Sequence, residues 1–258
     1  MRVPVVQHTT RRQRARRRRA LWTGGELLVT AGLVLLLLVV HQLWWTNREA
    51  RRGAEREVEA LEREWRDGAT DRGDDSGTSV PAVTPRPRTG TSTREQTATV
   101  PTQRRPSWSQ AYAVLAIPRL GLRVPVAEGV SKQDVLNKGY VGHYRGTGQP
   151  GQVGNFALAG HRNTHGEPFR YINRLRAKDL VEVETKTATY TYAVDKTLPR
   201  TSAGDSGVVR PVPRSIVEPG YGYSEPGYYI TLTTCTPEYT SRYRLVVWGK
   251  LVSMRPRS

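Results

Sequence analysis

The chain has 258 residues, 40 Lys and Arg against 23 Asp and Glu, a formal net charge of +17 and a single cysteine. One cysteine excludes an intramolecular disulfide framework and any cysteine-rich zinc module, while the length is enough for one or two domains with a proper core. The charge invites a nucleic-acid reading, but eight arginines and no acidic residue are packed into residues 1–20, so about half of the excess belongs to one short arm.

That arm precedes an apolar run with no charged residue from Leu27 to Val40, extended by Leu21 and Trp22 on one side and by Leu43, Trp44 and Trp45 on the other. A helix rising ~1.5 Å per residue needs about 20 residues to cross a ~30 Å hydrocarbon layer, and tryptophans suit both interfaces. Arg11, Arg12, Arg14 and Arg16 to Arg19 keep the N-terminus cytoplasmic by the positive-inside rule. A cleaved signal peptide would offer a small-residue cleavage site, and His41 to Trp45 offers none. Residues 1–20 therefore read as a cytoplasmic basic arm and 21–45 as a signal anchor. The topology signal also accounts for the arginines without nucleic acid, and everything after Trp45 is expected outside the cell membrane.

Residues 46–67 read as a charged helical stem, with Glu59/Arg63 and Glu62/Arg66 at i,i+4 spacing. Ala54, Val58, Leu61 and Trp65 form a thin apolar stripe. Two heptads do not commit to a coiled coil, so the stem is expected to be a solvated extension of the membrane helix, with dimerisation as the alternative. Residues 68–107 hold 22 Gly, Pro, Ser or Thr and almost no large apolar side chain, the composition of a disordered extracellular linker. Its root-mean-square reach would be roughly 35 Å.

From residue 108 to 258 short β-rich runs alternate with Gly/Pro turns: 113–117, 155–159, 180–184, 188–194, 228–234 and 242–248. Alternation at Val181, Val183 and at Tyr190, Tyr192, Val194 marks strands with one buried face. The expected fold is an all-β barrel or sandwich. Short helices are expected at 132–137 and 169–175, and a long loop at 199–227.

An exported chain with one thiol must bury it or use it. Cys235 ends the run Tyr228 to Thr234 and leads into Pro237, a strand end where a side chain is displayed. A thiol nucleophile needs a proton-handling partner, usually histidine, and a cationic or N–H donor for the oxyanion it generates. The domain offers His143, His161 and His165, among which composition does not choose.

The motif Thr231-Leu-Thr-Thr-Cys-Thr-Pro237 followed by Arg244-Leu-Val-Val247 resembles the C-terminal signature of sortases. Leu158-Ala-Gly-His-Arg162, approached through Pro150-Gly and Gly154-Asn155, resembles their catalytic-histidine segment. Phe169 to Leu175, with Asp179, resembles the family's next helix and strand entry. The similarity covers about residues 112–252 and is greatest to class E sortases of actinobacteria. It implies a closed barrel of about eight strands with one or two short helices. It also implies a cysteine transpeptidase that cleaves a Leu-Ala-x-Thr-Gly-like C-terminal sorting signal between Thr and Gly. The product would be passed to a peptidoglycan-precursor amine, with surface proteins and the membrane as partners and no metal or other cofactor.

The resemblance makes Cys235 the nucleophile, His161 the acid and then base, and Arg244 the group that steadies substrate and oxyanion. Thr234 would help shape the oxyanion hole, and Leu158 to Gly160 would support His161. His143 is expected as a rim or structural residue, and Arg162 as solvated or rim-lining. His165 stands where class E members often carry an aromatic residue. The competing readings are a cysteine peptidase, an L,D-transpeptidase of the envelope, and a non-enzymatic membrane-anchored binding module. Peptidases of the first kind usually place Cys before His, the reverse of the order here; L,D-transpeptidases carry a Ser-His-Gly-Cys motif that is absent.

Overall fold

The computed structural model describes residues 9–70 and 106–257, so the linker expected at 68–107 lies almost wholly outside the described residues. The chain divides into two compact units, 1–46 and 47–258. One helix, α1 (Thr9–Thr70), contributes to both.

In the first unit α1 is long and apolar enough to cross a membrane. Its large side chains from Leu27 to Val40 are exposed, unlike those of the core helix of a soluble domain.

The second unit is a closed eight-stranded barrel with the final turns of α1 packed on it. Its strands are β1 (Ala111–Ile117), β2 (Leu122–Glu128), β3 (Val141–His143), β4 (Gly154–Ala159), β5 (Leu180–Thr185), β6 (Ala188–Ser202), β7 (Tyr228–Thr236) and β8 (Tyr243–Pro256). Around the barrel the order is β1-β2-β3-β4-β7-β8-β6-β5. Most neighbours are antiparallel, but β2/β3 and β4/β7 are parallel.

Period-two patterning explains the core. Leu115, Ile117, Phe156, Leu158, Val181, Val183, Tyr190, Tyr192, Ile230, Leu232, Leu245 and Val247 fill the interior. The alternate residues Val246 and Trp248 of β8 face the other way, against Leu198, Val208, Tyr223 and Tyr229, and so anchor the segment between β6 and β7. The expected strands are all present, and the two expected short helices are tight 3-10 turns at Leu136–Lys138 and Ile172–Arg174. The long loop begins later than expected, because β6 runs on to Ser202.

The stem departs from expectation. Ala54, Val58, Leu61 and Trp65 are buried, and the last three pack with Ala111, Val114, Ala127 and Val135 of the barrel. The stripe is therefore neither solvated nor free for a second copy. Burying Val58 and Leu61 fully contributes about 1.5–3 kcal/mol each. Around this seam Arg123 bridges Glu62 of the helix and Glu184 of β5.

Candidate active site

The parallel pairing of β4 with β7 brings their C-terminal ends to one rim of the barrel, Ala159 beside Thr233. The ladder runs one residue further, since Gly160 N–H donates to the Thr233 carbonyl at 3.1 Å. Thr234 Oγ1 donates to the Gly160 carbonyl at 2.8 Å. A Cβ at Gly160 would lie 2.8 Å from the Phe169 ring, so only glycine lets the chain pass here. His161 thus emerges beside Thr234 and Cys235. In the antiparallel β7/β8 pair Cys235 stands directly opposite Arg244, and directly opposed residues show their side chains on the same face. The three residues expected to carry chemistry share one rim.

Cys235 is partly exposed. Arg244 is half-buried, and its Nη1 donates to the carbonyls of Ser241 at 2.9 Å and Tyr243 at 3.0 Å, which ties the guanidinium to the turn between β7 and β8. Arg242 lies before β8, is exposed, and sits over the Tyr243 ring at 5.2 Å.

His161 Nε2–H donates to Asn137 Oδ1 at 2.9 Å, leaving Nδ1 as the ring's acceptor. The ring stacks on His165 with centroids 5.2 Å apart. Burial, then the neighbouring His165 and Lys132, depresses the His161 pKa to about 4, so the imidazole is neutral at physiological pH. Burial also lowers the pKa of His165. A folded-state pKa of about 4 against the usual 6.5 means that the unfolded chain binds more protons between these values. Stability contributed by the neutral ring is complete above pH 6.5 and is lost as the pH falls towards 4. The loss of melting temperature between pH 7 and pH 5 is accordingly expected to be smaller in His161→Ala than in the parent chain. Equal losses in calorimetric scans would show that the ring is not held neutral by burial.

Arg162 corrects an expectation. It is not solvated: only 7% of its side chain is exposed, and beneath the rim Nη1 donates to the Cys235 carbonyl at 3.1 Å and to Thr236 Oγ1 at 2.9 Å. Its charge faces Glu238 at 3.6 Å. The residue after the histidine therefore holds the backbone of the cysteine. Nothing in the local sequence marks it, because its partners lie more than 70 positions away.

Thr234 is buried and its hydroxyl is committed to Gly160, so the side chain is a strut between the segments that carry His161 and Cys235. Of the two places expected for His143, the rim is ruled out and the structural one holds. It is fully buried, with Nδ1 at 2.7 Å from Glu128 Oε2 and 3.0 Å from Tyr112 Oη, and Nε2 at 2.8 Å from Thr147 Oγ1. A buried histidine met by a carboxylate and a tyrosine is a packing solution for β1, β2 and β3, and it draws His143 away from the thiol. Asn137 and His165 are the neighbours of His161 that sequence reasoning left without a role. Among the described residues no group of three His, Cys, Asp or Glu is arranged to hold a metal ion.

A family model described as the sortase domain matches residues 115–252. Sortase SrtE1 of Streptomyces coelicolor is 41% identical over 222 residues, which cover 84% of this chain and 53% of that protein, so the alignment spans about half the length of that relative. Sortase SrtE2 of the same organism is 36% identical over 215 residues, covering 81% of this chain and 73% of that protein. The crystal structure of sortase E1 from Streptomyces coelicolor with a tripeptide in the active site superposes with a TM-score of 0.54 at 51% identity, covering 58% of this chain and 92% of that one. With the family signature spread over β1 to β8 and Cys235, His161 and Arg244 on one rim, the chain belongs to the sortase family.

Proposed function

We propose that the protein is a membrane-anchored cysteine transpeptidase that cleaves a Leu-Ala-x-Thr-Gly-like sorting signal between Thr and Gly and joins the Thr to a cell-wall amine. The observation that carries this reading is the pairing of Cys235 with Arg244 across β7 and β8 beside the end of β4, where His161 leaves the barrel. The peptide held in the active site of the Streptomyces coelicolor relative supports a peptide substrate at the same rim.

In the first half-reaction neutral His161 takes the Cys235 proton, and the thiolate attacks the threonine carbonyl carbon. An S–C bond forms, and the oxyanion is met by Arg244. The tetrahedral intermediate collapses as the C–N bond breaks, and His161 returns its proton to the departing glycine amine. In the second half the acceptor amine attacks the thioester with His161 as base. The new C–N bond forms, the C–S bond breaks, and the proton returns to sulfur. Arg162 holds the Cys235 carbonyl throughout, and Thr234 keeps β7 fixed to Gly160.

The apolar segment of α1 supplies the anchor in this reading, with the arginine-rich arm cytoplasmic and the barrel outside. Incubating the full chain in detergent with a Leu-Ala-x-Thr-Gly peptide and a short amine is expected to give a Thr–amine adduct by mass spectrometry, with a thioacyl adduct on Cys235 when the amine is withheld. Hydrolysed peptide alone, with amine in excess, would make the protein a peptidase. An unaltered peptide would leave a binding module.

A further inference from the structure

We propose that the stem of α1 is a positioning element for His161, with Asn47 and Arg51 holding the loop on which that histidine depends. This inference rests on the role given to His161 above. Asn47 and Arg51 lie four residues apart and so share one helix face, the same side of the stem that buries Ala54 and Val58. Both reach the segment His165-Gly166-Glu167. Asn47 Oδ1 accepts the Gly166 N–H at 3.3 Å, and Arg51 Nε donates to the Gly166 carbonyl at 3.0 Å. Asn47 Nδ2 donates to Glu167 Oε1 at 2.9 Å and Arg51 Nη2 to Glu167 Oε2 at 3.0 Å. Both backbone groups of one residue and both carboxylate oxygens of the next are thus held by two stem side chains. Arg170 adds a contact to Glu167 Oε2 at 2.7 Å from within the barrel.

The held segment is one that needs holding. His165, Gly166 and Glu167 have φ values of 52°, 83° and 54°, three consecutive left-handed residues of which only one is glycine. Such a conformation is strained at each non-glycine position and persists only when its surroundings enforce it. The bent segment stacks His165 against the His161 ring, and it closes by Phe169 N–H donating to the His161 carbonyl at 3.0 Å. The stem also abuts the second element that touches this histidine. A Cβ at Gly139 would lie 2.7 Å from the Ala50 carbonyl, so the helix backbone abuts the cap of the 3-10 turn that carries Asn137, the partner of His161 Nε2. Both neighbours of the imidazole are therefore braced by residues 47–51.

Glu167 is the centre of the brace: 5% of its side chain is exposed, against 56% for Arg51. Exposed ion pairs contribute little by themselves. The value of this one lies in geometry, because displacing a catalytic group by about 1 Å can cost on the order of 10²-fold in rate.

The test uses the full chain in detergent with the peptide and amine named above. Asn47→Ala/Arg51→Ala is expected to lower kcat about tenfold while KM stays within twofold. The ratio of rates at pH 5.5 and pH 7.5 should also fall, because a loosened loop hydrates the His161 ring and lets it protonate at higher pH; His165 and Lys132 are the other titratable groups facing it. Arg51→Lys should recover little of the rate, because one ammonium cannot meet the Gly166 carbonyl and the Glu167 carboxylate together as the guanidinium does. If the double variant folds poorly, Glu167→Gln keeps the shape and removes the charge, and the same loss of kcat and fall in pH ratio are expected. Parent-like kcat and pH ratio in both variants, with His161→Ala inactive, would overturn the brace alone. An active His161→Ala would overturn the role of the histidine and the purpose of the brace with it.

Discussion

Cys235→Ala is expected to abolish both cleavage and transfer while leaving the barrel intact. Removing the residue that forms a covalent intermediate costs on the order of 10⁶ in turnover where catalytic groups act as a unit, which places the variant below detection. The fold should not notice. Cys235 is partly exposed, its backbone belongs to the β7/β8 ladder, and Arg162 grips its carbonyl, all of which alanine preserves. A melting temperature close to the parent's, together with no thioacyl adduct by mass spectrometry, is the expected pair of results. Turnover near the parent rate would exclude a covalent route through this sulfur.

The parts of the barrel that were legible in sequence are those where side-chain alternation meets turn residues. The strands β1 and β4 to β8 were marked in this way, and the exceptions have local causes. β2 was hidden by Pro125, which argues against a strand. The barrel tolerates it because β2 pairs with β3 only from Val126 onward, so at Pro125 the strand has β1 on one side alone. β3 is three residues long and too short for any period to show. The stem stripe was visible at its helical spacing, but a stripe does not say what covers it. The answer lay in Ala111, Val114, Ala127 and Val135, whose outward faces become apparent only when the barrel closes.

The site divides in the same manner. Cys235, His161 and Arg244 stood in contiguous motifs at strand ends. Arg162 and Asn137 act through contacts to Cys235 and His161 that no spacing encodes, and Asn47 and Arg51 lie more than 100 residues before the loop they hold. His143 shows how an open choice is closed by a distant partner. The sequence left it between rim and structure, and Glu128, 15 residues earlier, settles the choice by drawing it fully inside.

The two arginines at the start of the last strand give the sharpest remaining contrast. Sequence alone allowed both to face the thiol, since residues two apart on a strand share a side. In the structure only Arg244 lies within β8, directly across from Cys235, while Arg242 precedes the strand and packs on the Tyr243 ring. Arg244 is also anchored, because Nη1 is held by the carbonyls of Ser241 and Tyr243 and the rest of its planar group can serve a developing oxyanion without reorganisation. Losing one such donor typically costs ~10²–10³ in turnover. Arg244→Ala is expected to show a loss of that size, and Arg244→Lys a similar one, since a lysine ammonium lacks the fork that both satisfies the turn and reaches beyond it. Arg242→Ala should change turnover by less than about twofold, as expected for an exposed charge. All three variants should melt near the parent temperature. An inactive Arg242→Ala beside an active Arg244→Ala would place the oxyanion on the other side of the turn, with the Cys235–Arg244 pairing then serving structure alone.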